Sequence, residues 1–212
     1  MTSVIASITG HRLMPVVVVD DAECAEPLAD ALVSGGLPVA EVTFRTAAAR
    51  DVIEAMAARG DVLVGAGTVL SPDQVDMAVD AGASFVVSPG LSRAVVERAL
   101  ERGVLPLPGV ATATEIQAAI ELGLGVVKFF PAEASGGVAA IKALAAPFTD
   151  LAFVPTGGVG PANLADYLAL PSVAAGGGSW MVPRDLVCAR DVPRLSAVVA
   201  EAVALTATSR PR

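Results

Sequence analysis

The chain alternates short apolar, β-branched runs with longer Ala- and Leu-rich segments of helical period. Runs of the first kind at 15–20, 39–44, 62–68, 85–88, 105–107, 126–130, 152–155 and 173–175 predict eight strands. Their starts recur every ~20 to 26 residues, the rhythm of repeated strand–helix units. Between them, 25–33, 47–58, 72–81, 93–102, 114–122, 138–145 and 162–168 predict helices. Ser71-Pro72 and Gly160-Pro161 read as helix entries, while Gly35, Gly60, Gly82, Gly103 and Gly123 fall where helices should stop. Eight such units in 212 residues predict an α/β fold, a (β/α)8 TIM barrel filling 1–212 as a single domain. A short N-terminal helix over 1–13 would cover the amino-terminal mouth, and the polar tail at 207–212 would fray. No Gly-x-Gly-x-x-Gly follows the first strand, which weighs against an open dinucleotide-binding sheet.

Composition narrows the function classes. Hydrophobic residues make up 54% of the chain and mean hydropathy is +0.65, so a large core is available. Charge, Pro or Gly interrupts each apolar stretch before the ~18 residues a membrane span needs. The first residues lack a basic segment followed by a cleavable apolar one, so a cytoplasmic location without membrane contact is the expectation. A net charge of −8 argues against a nucleic-acid partner, which would need a basic face, yet leaves room for a local anion site. Cys24 and Cys188 have no metal or redox spacing, and Cys24 lies in a helical pattern where it should pack. His11, the one histidine, precedes the first strand, so a His-rich metal site and Ser-His-Asp or Cys-His catalysis lack parts. Asp20-Asp21, closing the first strand, reads either as a turn or as oxygen ligands for magnesium, the turn being simpler. No metal and no cofactor are called for.

Against that background one residue stands apart. Lys128 sits in the run Val126-Val127-Lys128-Phe129-Phe130-Pro131-Ala132, and the chain's only other lysine is Lys142, at an ordinary helix position. A charged amine inside a strand is costly unless paired or neutralised, and the neutral amine is the form that attacks carbonyls. Lys128 is therefore the candidate Schiff-base nucleophile. Glu41 serves as its counter-ion, as a proton shuttle, or as both. Period-two alternation puts Glu41, Thr43 and Arg45 on one face of the second strand. Arg45 is suited to clamp a carboxylate or phosphate, or else forms a surface ion pair. Thr68 ends the third strand, Pro89 follows the fourth and Glu133 follows the sixth. Thr156-Gly157-Gly158 and Gly177-Gly178-Ser179 follow the last two strands, where backbone amides of such barrels commonly bind phosphate.

In these segments the chain resembles the 2-keto-3-deoxy-6-phosphogluconate (KDPG) aldolase family, whose members often also cleave 4-hydroxy-2-oxoglutarate (KHG). The segments are Glu41-Val42-Thr43-Phe44-Arg45-Thr46, Gly65-Ala66-Gly67-Thr68-Val69-Leu70 and Ser88-Pro89-Gly90. Lys128-Phe129-Phe130-Pro131-Ala132-Glu133, Pro155-Thr156-Gly157-Gly158 and Gly177-Gly178-Ser179-Trp180 complete the set, in order along nearly the whole chain. Val127 and Phe44 depart from the family's common residues at positions without a chemical role. The resemblance implies a (β/α)8 barrel, usually a homotrimer, working without a cofactor on a small phosphorylated 2-keto acid. It implies Lys128 as Schiff-base lysine and Glu41 as acid/base. Arg45, Thr68 and Thr156 would bind the pyruvyl carboxylate, and Pro89 and Phe130 would shape the pocket. Gly157, Gly158, Gly178 and Ser179 would bind phosphate. A 6-phosphogalactonate aldolase, a phosphosugar isomerase or epimerase using Glu41 without a covalent step, and a non-catalytic phosphosugar-binding barrel are the competing expectations.

Overall fold

A computed structural model describes residues 1–207, in which eight parallel strands alternate with helices. The strands are β1 (Leu13–Val17), β2 (Val39–Thr43), β3 (Leu63–Gly67), β4 (Phe85–Ser88), β5 (Leu105–Val110), β6 (Val126–Phe129), β7 (Ala152–Pro155) and β8 (Gly176–Gly178). The helices are α1 (Thr2–His11), α2 (Ala25–Ser34), α3 (Ala49–Arg59), α4 (Pro72–Asp80), α5 (Arg93–Glu101), α6 (Ala113–Glu121), α7 (Gly137–Ala145), α8 (Leu164–Leu168), α9 (Arg184–Ala189) and α10 (Val192–Ala207). Strands pair in the order β7-β6-β5-β4-β3-β2-β1-β8, and bridges from Phe153 to Val173 and from Thr156 to Gly177 bring the two ends of the sheet together. The result is a nearly closed (β/α)8 barrel. Because all strands run one way, their carboxyl ends share one rim.

Strand alternation sorts the apolar residues into two layers. Leu13, Val17, Ala40, Val42, Val86, Val127, Phe129 and Phe153 face outward and pack under the helices. Met14, Val39, Phe85, Val87, Leu105, Leu107, Val126 and Val154 fill the interior, with Ile8 of α1 among them. Val4 and Ile5 of the same helix pack against this inner cluster, so α1 covers the amino-terminal mouth as expected. Lys128 shares the parity of Val126, and Glu41 that of Val39. Both side chains therefore enter the barrel above its apolar plug.

Several boundaries differ from those expected. The N-terminal helix stops at His11, not residue 13: Arg12 adopts the left-handed conformation (φ 59°), its amide closes the helix on the carbonyl of Ile8, and β1 starts at Leu13. The last strand is not 173–175 but Gly176–Gly178, because the ladder to β1 pairs Leu13 with Gly176, Met14 with Gly177 and Pro15 with Gly178. Gly160-Pro161 does not open a helix; α8 begins at Leu164, and Asn163 takes the Gly160 amide at 2.8 Å. Ser71-Pro72 does open α4, with Ser71 Oγ accepting from the Gln74 amide at 3.3 Å. The tail expected to fray lies outside the described residues except for Ala207, which ends α10. No helix among the described residues is long and apolar enough to cross a membrane.

Candidate active site

Lys128 Nζ lies 3.3 Å from Glu41 Oε1, with side chains 8% and 1% exposed. The two come from β6 and β2, on opposite sides of the barrel in strand order, and meet across its interior. Glu41 Oε2 is buried and has no protein hydrogen-bond partner. An unsatisfied buried acceptor costs ~1–3 kcal/mol, a cost that a substrate hydroxyl or a relayed proton would relieve. The Phe130 ring lies beneath the amine, 5.2 Å from Nζ to the ring centroid. Aromatic and aliphatic walls thus strip the ammonium of water while leaving it one carboxylate oxygen. Lys142, by contrast, is exposed on α7. It lines a cavity of about 510 Å³ with Leu151, Leu170 and Ser172, at the barrel's amino-terminal side and away from Lys128.

Glycines make this pairing sterically feasible. A β-carbon on Gly67 would fall 2.2 Å from Glu41 Oε1 and 2.5 Å from its Cγ, so the carboxylate occupies the space a side chain would take. Gly109 stands in register with Lys128 on the neighbouring strand. Gly177 yields in the same way to Thr156, whose Oγ1 would be 2.3 Å from an added β-carbon. In the linear chain Gly67 and Gly177 stand out only as members of motifs, and Gly109 belongs to none. At Gly67 and Gly177 the volume of the missing side chain is occupied by Glu41 and Thr156, whereas at Gly109 it is occupied by the Pro89 backbone.

The other expected site residues line the same rim. Arg45, just past β2, is exposed and forms no ion pair or side-chain hydrogen bond among the described residues. Thr68, just past β3, holds a left-handed backbone (φ 52°), a costly conformation for a β-branched residue. Bonds on either side pin it: the Phe44 amide donates to Gly67 at 2.7 Å and the Val69 amide to Val87 at 3.0 Å. Pro89 is exposed beyond β4, and its carbonyl would lie 2.1 Å from a β-carbon on Gly109. Thr156 is buried at the β7–β8 seam. Ser179 is exposed after β8, whereas Gly178, expected in a loop, is the last residue of the strand itself. No hydrogen bond or ion pair joins Arg45, Thr68 or Ser179 to the Lys128–Glu41 pair. Thr43, grouped with Glu41 by alternation, is spent on structure, its hydroxyl donating to the Val17 carbonyl at 2.8 Å.

The loop after β7 is built to present donors. Gly157 and Gly158 both have positive φ (97° and 83°), which only glycine adopts without strain. Its carbonyls are tied back: Thr156 accepts from the Ala132 amide at 2.8 Å, Gly157 from the Glu133 amide at 3.0 Å, and Gly158 from Asn163 Nδ2 at 3.1 Å. The Gly157 and Gly158 amides have no such partner among the described residues, leaving two N–H groups of the kind that form anion nests. An added β-carbon on Gly157 would lie 3.4 Å from the Phe130 ring, so this nest adjoins the lysine pocket. Asn163 and Tyr167 were not anticipated. Tyr167 is fully buried, and its hydroxyl donates to Glu133 Oε1. Burial first, and the facing Glu133 carboxylate second, push that hydroxyl's pKa well above the ordinary tyrosine value, so it remains a donor.

Asp20 and Asp21 are engaged as a turn would have them. Asp20 accepts from Arg184 at 2.8 and 2.9 Å, and Asp21 accepts from Arg190 at 2.7 Å and from the Glu23 amide at 3.0 Å. Cys24 is buried. Among the described residues no cluster of His, Cys, Asp or Glu is placed to hold a metal ion.

The family model described as KDPG and KHG aldolase matches residues 4–198. A 2-dehydro-3-deoxy-phosphogluconate aldolase of Treponema pallidum is 49% identical over 199 residues, covering 93% of this chain and 95% of that protein. A KHG/KDPG aldolase of Escherichia coli K12 is 48% identical over 204 residues, covering 95% of each. The crystal structure of a KDPG aldolase from Legionella pneumophila, with pyruvate captured as a covalent carbinolamine, superposes with a TM-score of 0.90 at 37% identity. That match covers 93% of this chain and 97% of the Legionella chain.

Proposed function

Because the chain belongs to the KDPG and KHG aldolase family, we propose that it is a class I aldolase cleaving KDPG to pyruvate and glyceraldehyde 3-phosphate. The same site would cleave 4-hydroxy-2-oxoglutarate to pyruvate and glyoxylate. The observation that carries the reading is Lys128 Nζ, buried and 3.3 Å from a glutamate oxygen inside the barrel.

The unprotonated amine of Lys128 adds to the C2 ketone, and the carbinolamine loses water to an iminium. Electrons of the C3–C4 bond then flow into the iminium while the C4 hydroxyl gives up its proton, and the aldehyde departs. The enamine takes a proton at C3, and water releases pyruvate and the free amine. Glu41 is the group in reach of every proton on this path. Its Oε1 faces the amine, and Oε2 is free to serve hydroxyl or carbon. Arg45, Thr68 and Thr156 hold the carboxylate, and Pro89 and Phe130 flank the pyruvyl carbons. Gly157, Gly158, Gly178 and Ser179 hold the phosphate. The cycle needs no cofactor. The carbinolamine captured in the Legionella enzyme supports this order of events. By the same resemblance, the enzyme works in the cytoplasm as a homotrimer.

Borohydride trapping with pyruvate, followed by peptide mapping, tests the reading. One reduced adduct on Lys128, lost in Lys128→Ala together with turnover, is expected. Cleavage that persists in Lys128→Ala would overturn the Schiff-base assignment, and isomerisation without cleavage that survives the same substitution would point to Glu41 as the base of an isomerase.

A further inference from the structure

We propose that Glu133 and Tyr167 form a strut that positions the phosphate-binding loop and so sets the preference for phosphorylated over unphosphorylated 2-keto acids. This rests on the aldolase reading and extends it to two residues that touch no reacting atom.

The strut starts in the segment that carries the nucleophile. Five residues after Lys128, Glu133 sends its backbone amide to the Gly157 carbonyl at 3.0 Å. Its side-chain stem runs along Gly158, where an added β-carbon would sit 2.5 Å from Glu133 Cγ and 2.7 Å from Cβ. The carboxylate at its end is bound by the buried Tyr167 hydroxyl of α8. Gly137, at φ 60°, leaves room for both: a β-carbon there would lie 3.1 Å from Glu133 Oε1 and 3.4 Å from Tyr167 Oη. From the far side, Asn163 at the start of α8 holds the Gly158 carbonyl and the Gly160 amide. The loop that offers the Gly157 and Gly158 amides is therefore clamped between the β6 end and α8, with its geometry copied from the length of one glutamate side chain.

The same contact removes an electrostatic conflict. Glu133 is a solvent-exposed carboxylate beside a loop expected to bind a dianion. Tethered to Tyr167, it points toward α8. Untethered, it is free to swing toward the anion and repel it. Neither effect bears on the Lys128–Glu41 pair, so loss of the strut should spare substrates without phosphate.

The test compares Tyr167→Phe, Glu133→Ala and Glu133→Gln with the wild type on KDPG and on 4-hydroxy-2-oxoglutarate. Tyr167→Phe and Glu133→Ala are expected to raise KM for KDPG by about tenfold, the scale of one lost hydrogen bond to a charged group. Both should leave kcat, and both constants for 4-hydroxy-2-oxoglutarate, within about twofold of the wild type. Glu133→Gln keeps the stem and an acceptor for Tyr167, so it should stay near the wild type. Glu133→Ala, at an exposed position, stands in if loss of the buried hydroxyl unfolds the chain. Trp180 is the only tryptophan, and its ring lies where a β-carbon on Gly178 would point, at 2.6 Å. Its fluorescence reports inorganic phosphate binding without any turnover, and that binding should weaken about tenfold in both disruptive variants. Equal losses on both substrates, an unchanged KM for KDPG, or unchanged phosphate binding would overturn the strut. A wild type without a pyruvate adduct on Lys128 would sink the aldolase reading alone, and the phosphate titration would still decide the strut.

Discussion

Gly67→Ala is the sharpest probe of how the barrel holds its acid/base group. The substitution adds one methyl group at a buried position whose backbone is ordinary extended strand. Its β-carbon would fall 2.2 Å from Glu41 Oε1, 2.5 Å from Cγ and 2.7 Å from Cδ. Restoring van der Waals spacing requires the carboxylate to retreat by about 1 Å. Glu41 is only 1% exposed, so it has little slack, and the retreat lengthens or rotates its 3.3 Å contact with Lys128. A displacement of about 1 Å at a reacting group costs on the order of 10²-fold in rate. The expectation for Gly67→Ala is therefore a kcat for KDPG cleavage lower by about 10²-fold, with a pyruvate–borohydride adduct on Lys128 still forming. Single-turnover cleavage and exchange of the pyruvate methyl protons should fall together, since Glu41 serves the C4 hydroxyl proton in the first and the C3 proton in the second. Overpacking would also lower stability by ~1–3 kcal/mol, read in a denaturant titration. Gly67→Ala turning over within a factor of a few of the wild type would refute the claim that this glycine's space belongs to Glu41.

Two further expectations follow from charges the fold has placed. Lys128→Met leaves Glu41 buried without its cation and should cost ~3–5 kcal/mol in equilibrium unfolding, of which Lys128→Met/Glu41→Gln should recover a substantial part. A double variant less stable than the single one would show that the pair is not the source of the loss. Asp76 lies between Arg98 and Arg102, which hold its carboxyl below the ordinary value of 3.8 through hydrogen bonds, Arg98 contributing first. A lowered folded value means the native chain binds this proton less readily than the unfolded one. Its stabilisation is thus complete above the unfolded value and lost as pH falls through the folded one. The stability gap between wild type and Asp76→Asn should stay level above about pH 5, shrink on further acidification, and narrow with salt because the half-buried group lies at the surface within reach of solvent. A gap that widens below that pH would contradict the assignment.

The eight strand–helix units, the apolar interior and the conspicuous Lys128 were legible in the linear chain because each is written in local periodicity and local chemistry. Alternation alone places Lys128 and Val126 on one face, and the β-branched runs fix β2, β4, β6 and β7 nearly to the residue. β8 escaped that reading because Val173 and Ala175 carry the apolar signal whereas Gly176–Gly178 carry the ladder. A triple-glycine strand has no side chains of its own to pack. It is stable here because Leu164, Thr156 and Trp180 fill the places its β-carbons would take.

The partnership of Glu41 with Lys128 spans 87 residues, and the tether of Glu133 to Tyr167 spans 34. No local propensity encodes either contact. Residue type and a two-residue repeat dictate which groups are available and which face of each strand they occupy. Closure of the barrel decided which groups meet. Only when β2 and β6 stand across a shared interior does a glutamate oxygen come within reach of the amine, and only then does the volume missing from a glycine become room for a carboxylate.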